Sequence, residues 1–265
     1  MIKRHFLGWD QPVSVKVADF LLAERTGSAV DLRDLLVLVP TRQAGRRLRQ
    51  QLIRRCSARG AGLFPPKIET PAFLVEPVAP RGQCIATCTD ELCCWIQVLR
   101  KNDLSNHAAL FPLPPIRDDF GWALRTAKML QSLRSILIEG GWLLTDVANL
   151  GPTLLEESER WADLAALEQL YFDELARIGK NDSCLLQKQG VDLSQWNRGH
   201  DRIVLAAVPD PMPLALQVLK SAAAEFEVDI LIHAPADKAG LFDQWGVPLP
   251  DKWQQQRLDI EEPEQ

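Results

Sequence analysis

Seven arginines, Arg42, Arg46, Arg47, Arg49, Arg54, Arg55 and Arg59, crowd the stretch from Thr41 to Arg59, and no acidic residue interrupts them. Guanidinium groups are planar, permanently charged and matched in shape to phosphate oxygens, so the run points to contact with a polyanion. Thr41 precedes it and has the chemistry of a helix cap, a side-chain oxygen able to accept from backbone N–H groups one turn on. The start of a helix adds partial positive charge and free amide donors. The start of this helix and its arginines therefore form a candidate phosphate-contacting surface. The bland alternative is a solvated basic helix with no ligand at all.

A second stretch has the placement of a phosphate-binding turn without its chemistry. Ile2 to Leu7 alternates as a strand, and Pro12 to Ala23 follows as a helix that packs Val13, Val17, Phe20 and Leu21. A nucleotide-binding turn at this place needs Gly-x-x-x-x-Gly-Lys-Ser/Thr, because glycines let backbone amides wrap the phosphates and the lysine reaches the terminal ones. Gly8 is present. Val13 stands where the second glycine belongs, Ser14 where the lysine belongs, and Val15 where a magnesium-binding hydroxyl belongs. Pro12 removes an amide donor and Asp10 adds a repelling charge, so the turn is expected not to hold ATP, and no cofactor is expected. Cys84, Cys88, Cys93 and Cys94 cluster in the sequence, but their gaps suit no tetrahedral metal site. They are expected to be buried, reduced thiols, with neither a metal site nor a catalytic group among them.

The elements that must position these residues follow from patterning. The unbroken apolar run Leu35–Val39 reads as a parallel strand buried on both faces. It leads into a helix whose Ala44, Leu48, Leu52 and Cys56 recur every four residues as one buried stripe. Gly60 to Pro66 reads as a loop and Lys67 to Thr70 as a short strand, with Phe73 beyond it as a core residue. From about Val75 to His200 the pattern is helical, with helices near Thr89–Lys101, Asp118–Glu139 and Leu154–Ile178. Pro112, Pro114 and Pro115 force a non-helical crossing, and Trp95, Trp122 and Trp161 are expected in the core. Strand, helix and strand then return at Asp201–Val208, Pro211–Glu225 and Val228–His233. The expected organisation is an α/β domain over 1–77 and 201–265, interrupted by an all-helical insertion over 78–200. The first strand and the one leading into Pro209 are expected to be neighbours in one parallel sheet.

With 265 residues, 46 % hydrophobic and 25 % charged, the chain can bury a substantial core. Its formal charge of −5 excludes a protein that coats nucleic acid over its whole surface and confines any such contact to a local patch. No apolar segment reaches the roughly 18 residues of a membrane span, and the first ten residues lack a signal-peptide core, so a cytoplasmic protein without membrane contact is expected.

The wording of five segments carries a resemblance. Val39-Pro40-Thr41-Arg42-Gln43-Ala44-Gly45 resembles motif Ia of superfamily 1 helicases, and Ile68-Glu69-Thr70 is similar in place to motif Ib, matching at Thr70. Leu205-Ala206-Ala207-Val208-Pro209-Asp210-Pro211-Met212-Pro213-Leu214 resembles the strand that carries the two hydrolytic acids, with Ala206 and Ala207 in their places. His233 through Gly246 looks like a degenerate motif III. Together with the opening His-Phe-Leu-Gly-Trp-Asp, these segments are similar to the N-terminal region of AddB-type subunits of bacterial helicase–nuclease complexes.

The resemblance implies a P-loop-helicase-like sheet with an emptied nucleotide site, marked by Gly8, Val13, Ser14, Ala206 and Ala207. It implies DNA contacts at Thr41, Arg42, Gln43 and Thr70, with Arg46 as an electrostatic helper. It implies partners too: single-stranded or unwound DNA, an AddA-like helicase subunit, and a longer polypeptide of which Asp259–Gln265 looks like the start of another segment. The expected role is a pseudo-helicase domain in double-strand-break repair that binds or scans single-stranded DNA without ATP hydrolysis. The alternatives are a scaffold that docks onto the motor subunit with little DNA affinity, and a residual nucleotide-binding enzyme or exonuclease.

Overall fold

Four consecutive buried residues, Leu35 to Leu38, leave their strand no solvent face, and it pairs in parallel on both sides. The structure, a computed structural model, describes residues 2–23, 25–79, 82–113, 119–189 and 200–256. In chain order the first elements are β1 (Ile2–Phe6), α1 (Val13–Leu22), β2 (Ala29–Asp31), β3 (Leu35–Leu38), α2 (Arg42–Ala58), β4 (Gly62–Phe64) and β5 (Lys67–Glu69). There follow β6 (Cys84–Ile85), α3 (Cys88–Lys101), α4 (Phe120–Glu139), α5 (Leu144–Ala148), α6 (Ser158–Arg177), β7 (Lys180–Asn181) and α7 (Ser183–Gln189). The last are β8 (Arg202–Ala206), α8 (Pro213–Ala222), β9 (Glu227–Ile232) and α9 (Pro250–Trp253). Contacts group the described residues into two units. One lies within Met1–Phe73, Leu193–Pro211 and Leu219–Gln265, the other within Leu74–Asp192 and Met212–Val218.

The first unit is built on a five-stranded parallel sheet in the order β1-β9-β8-β3-β5. This is a mixed α/β fold with helices flanking the sheet. Val17, Leu21 and Leu22 of α1 and Leu48, Leu52 and Cys56 of α2 form one core with Val37, Val204 and Leu231 of the sheet. The alternate residues Ile203, Leu205, Ile230 and Ile232 are buried as well, as a sheet covered on both faces requires.

The strand order corrects the expectation for β1. It and β8 share the sheet but are not neighbours, because β9 lies between them. The physical reason is Asp229, a carboxylate buried in the middle of β9. It accepts from Arg202 Nε of β8 on one side and sits 2.7 Å from His5 Nε2 of β1 on the other. Phe20 of α1 covers the group, 4.7 Å from the His5 ring. A buried charge is tolerated when it is paired and hydrogen-bonded, and here each neighbouring strand supplies one partner.

Two further expectations fail on short elements. Residues of the expected loop Gly60–Pro66 form β4, which pairs with β2 in a separate two-stranded sheet. The expected all-helical insertion also contains strand, since β6 pairs with β7 in parallel, Cys84 with Lys180 and Ile85 with Asn181. Strands of two or three residues carry no alternation to read.

The second unit is otherwise helical. Thr87 caps α3 in a reciprocal arrangement with Asp90, and Asp119 caps α4 by accepting from Gly121 N at 2.8 Å. Helix α6 begins at Ser158, not at Leu154, because Gly151 and Glu157 adopt left-handed backbone ahead of it and Leu154 is exposed. Trp95 is fully buried and stacks on Tyr171 at 4.4 Å, while Trp122 and Trp161 pack against the same core half-buried. Of the clustered cysteines only Cys94 is buried. Cys84, Cys88 and Cys93 are exposed, Cys93 because it falls on the face of α3 opposite Trp95 and Val98. The expected helix start at Asp118, Pro114 and Pro115, and the closing segment from Asp259 lie outside the described residues.

The core of this unit holds an ion cluster that apolar patterning did not reveal. Arg134 of α4 is buried and donates to Glu168 Oε1 at 2.7 Å and, through both terminal nitrogens, to Asp182 at 2.8 and 2.9 Å. Tyr171 and the Leu185 amide also donate to Asp182, and Thr145 donates to Glu168. Burial works against the Arg134 charge, but Asp182 outweighs it and its pKa rises. Burial, with the Asp182 charge behind it, pushes the Tyr171 phenol up. Burial likewise raises the Cys184 thiol to about 11, so it stays protonated near neutrality.

Two outcomes follow. Arg134→Met strands two buried carboxylates and should cost about 3–5 kcal/mol in urea unfolding. Burial alone would raise the Asp229 carboxyl, but the bonds to Arg202 and His5 win and its pKa is lowered from 3.8. Its stabilisation is therefore complete above that value and lost as pH falls through the lowered one. Acid unfolding between about pH 5 and pH 2 should be shallower in Asp229→Asn than in the wild type.

Candidate nucleic-acid interface

In a parallel sheet every strand delivers its following turn to the same edge. The turns after β1, β3 and β8 meet there around a cavity of about 260 Å³ lined by Val13, Ser14, Thr41, Gln43, Ala206 and Ala207, among others. The structure thus brings together residues from three distant stretches. Val17, Val39 and Leu48 supply apolar wall, and Arg47, one helical turn after Gln43, is the charged group of the lining.

Thr41 is the N-cap of α2. Its backbone is extended and its hydroxyl oxygen accepts from Ala44 N at 3.1 Å. Gly45 makes the close seating of this first turn possible. A Cβ there would lie 3.1 Å from Ile68 Cγ2 and 3.4 Å from Val39 Cγ2. Arg42, Gln43 and Arg46 are exposed. Thr70 follows β5, whose Glu69 carbonyl accepts from Val39 N at 2.9 Å, so Thr70 and Thr41 follow the ends of adjacent strands. Thr70 is half-buried and does not line the cavity, nor does Gly8. Beyond it Phe73 is also half-buried, with Lys67 Nζ 3.8 Å from its ring centre.

The arginines of α2 divide into two groups. Arg49 donates to the Ile68 carbonyl at 3.1 Å and Arg55 to Asp19 at 2.7 Å, and both serve the fold. Arg42, Arg46, Arg47, Arg54 and Arg59 are exposed and have no carboxylate partner among the described residues. Arg47 was counted in the basic run but not among the contacts that the resemblance implies, although its four-residue spacing from Gln43 was there to be read.

The turn after β1 is bonded to the end of β9. Leu7 and Gly8 amides donate to the Ile232 and Ala234 carbonyls at 2.8 and 2.9 Å, and Trp9 Nε1 donates to the His233 carbonyl at 2.6 Å. Gly8 has φ +77°, and a Cβ there would meet Asp10 Oδ1 at 2.8 Å. Asp10 pairs with Lys16 at 2.7 Å, and that hydrogen bond lowers the Asp10 pKa, keeping the carboxylate charged at neutral pH. The lysine nearest the turn is thus engaged by an acid. Ala206 and Ala207 line the cavity without a polar side chain that could hold a metal ion or orient water. Among the described residues no group of three or more His, Cys, Asp or Glu side chains comes together as metal ligands. No family model matches the chain, and no curated protein matches it significantly.

Ala207 carries strain at this edge. Its φ is +51°, in the left-handed region that costs a non-glycine residue about 1–2 kcal/mol. Ala207→Gly should relieve that cost against a smaller entropic loss. The net gain should be about 0.5–1 kcal/mol in urea unfolding, whereas Ala206→Gly, in regular strand, should destabilise.

Proposed function

We propose that this chain is a helicase-like α/β unit with an emptied nucleotide site, which binds single-stranded DNA through the start and exposed face of α2. The observation that carries the reading is the exposed arginines Arg42, Arg46 and Arg47 in the first turns after Thr41, with Arg54 and Arg59 at the far end of the helix, none of which has a carboxylate partner among the described residues. On a protein with a formal charge of −5, unpaired cations gathered on one helix form a local site for a polyanion. Thr41, Arg42, Gln43 and Thr70 are the proposed contacts and Arg46 steers the phosphates toward them. Positioning contacts of this kind go to the backbone and do not select sequence.

The same reading makes the unit inactive as a motor. Ser14, Ala206 and Ala207 stand at the cavity where the P-loop-like arrangement needs a lysine and two acids, and Asp10 adds a charge that opposes a triphosphate. Strand movement then falls to a partner, and we propose an ATP-hydrolysing subunit of the AddA type, with the chain acting as the N-terminal part of an AddB-like polypeptide in double-strand-break repair.

Oligonucleotide binding measured against salt tests the interface. Each phosphate contact to a single strand contributes about 0.7 to the slope of log affinity on log salt. Arg42→Ala with Arg46→Ala should therefore lower affinity at low salt and flatten the slope by about 1.4, and an unchanged slope removes the strand from this surface.

A further inference from the structure

The cavity at the start of α2 lies beside the unpaired arginines, yet its own lining is mostly apolar. Val17, Val39, Leu48 and Ala206 form its walls, while the Ser14 hydroxyl and the Gln43 amide are neutral hydrogen-bonding groups on it. Its size limits the occupant. A cavity of about 150 Å³ with apolar walls takes up a benzene ring, whereas pockets for drug-sized ligands begin near 300 Å³. At about 260 Å³ this one suits a single heterocyclic ring system, and a neighbouring cavity of about 270 Å³ shares Val13 and Ala207 with it.

Its chemistry limits the occupant further. A phosphate group needs several converging N–H donors. Here Pro12 has none to give and Ala44 N is taken by Thr41, so the start of α2 offers only the Arg42 and Gln43 amides, and the nearby turn carries the Asp10 carboxylate. A nucleobase needs flat apolar contact on its faces and a few donors and acceptors at its edge. Gln43 can both donate and accept, Ser14 likewise, and Arg47 can reach a flanking phosphate.

We propose that this cavity receives one nucleobase turned out of a single DNA strand whose phosphates lie along α2. The proposal rests on the DNA-binding reading of that helix and adds a base-binding subsite to it. Withdrawing one base from its stack fixes the strand in register on the protein, which backbone contacts alone leave free to slide.

The test uses the whole chain and a short oligothymidylate carrying one 2-aminopurine, moved a position at a time along the strand. The emission of 2-aminopurine reports loss of stacking on its neighbours, and it should change strongly at a single position. Ser14→Leu and Val13→Phe narrow the cavity and leave the arginines intact. Each should abolish the position-specific signal and weaken binding roughly ten- to a hundredfold, the range that seating one base is worth. The slope of affinity on salt should remain that of the wild type. Circular dichroism melts identify a variant that fails to fold, and the other variant then decides. Binding that depends on Arg42 and Arg46 but shows no position-specific emission, or keeps it in both filled variants, overturns the base subsite alone. Absence of binding at low salt overturns the subsite together with the DNA-binding reading.

Discussion

The buried carboxylate of Asp229 is the constraint around which the sheet is arranged. One side chain in β9 is met by His5 from β1 and Arg202 from β8, so three strands distant in sequence are tied at one point. A slip of β9 by one residue would turn Asp229 to the opposite face and leave a charge among Ile203 and Leu205 of β8. Apolar strands alone set no such penalty, because every residue of a doubly buried strand fits either face. The carboxylate supplies register where hydrophobic burial supplies only affinity.

Fixing those strands in parallel also fixes where the turns emerge. The ends of β1, β3 and β8 open on one edge, and the side chains of Ser14, Gln43 and Ala207 reach a common cavity even though β9 separates β1 from β8. The helix that leaves this edge after β3 carries positive charge without a compensating acid on its exposed side. The turn that leaves it after β1 carries an acid already bound to Lys16. The two features give the edge opposite charge, exposed guanidinium groups on one half and a carboxylate on the other.

Much of this was legible in the sequence, for a physical reason that also marks the limit. The runs Leu35–Val39, Asp201–Val208 and Val228–His233 could be read as strands because burial on both faces leaves an uninterrupted apolar signal. The stripe of α2 could be read because one face is buried and the other is charged. The strand order could not, since it depends on a pairing between Asp229, Arg202 and His5 that no local pattern records, although an aspartate inside an apolar strand was itself a sign. Arg134 was missed for a related reason. The buried stripe of α4 runs Ala123, Ala127, Leu130, Arg134, Ile138, and an apolar pattern passes over an arginine that sits on the buried face. The short pairs β2–β4 and β6–β7 hold too few residues to leave a period. At the candidate site, Thr41 and Gln43 were found through the wording of one segment, whereas Arg47 depends on helical geometry that the wording does not express.

The two-residue pairing of β6 with β7 has a consequence for the helices between them. Cys84 lies near the beginning of the helical unit's main segment and Asn181 near its end, and parallel pairing holds those points about 5 Å apart. The pairing closes a loop of roughly a hundred residues, so α3, α4, α5 and α6 are held between two points that cannot part without breaking it. The small ladder acts as a clasp on those four helices.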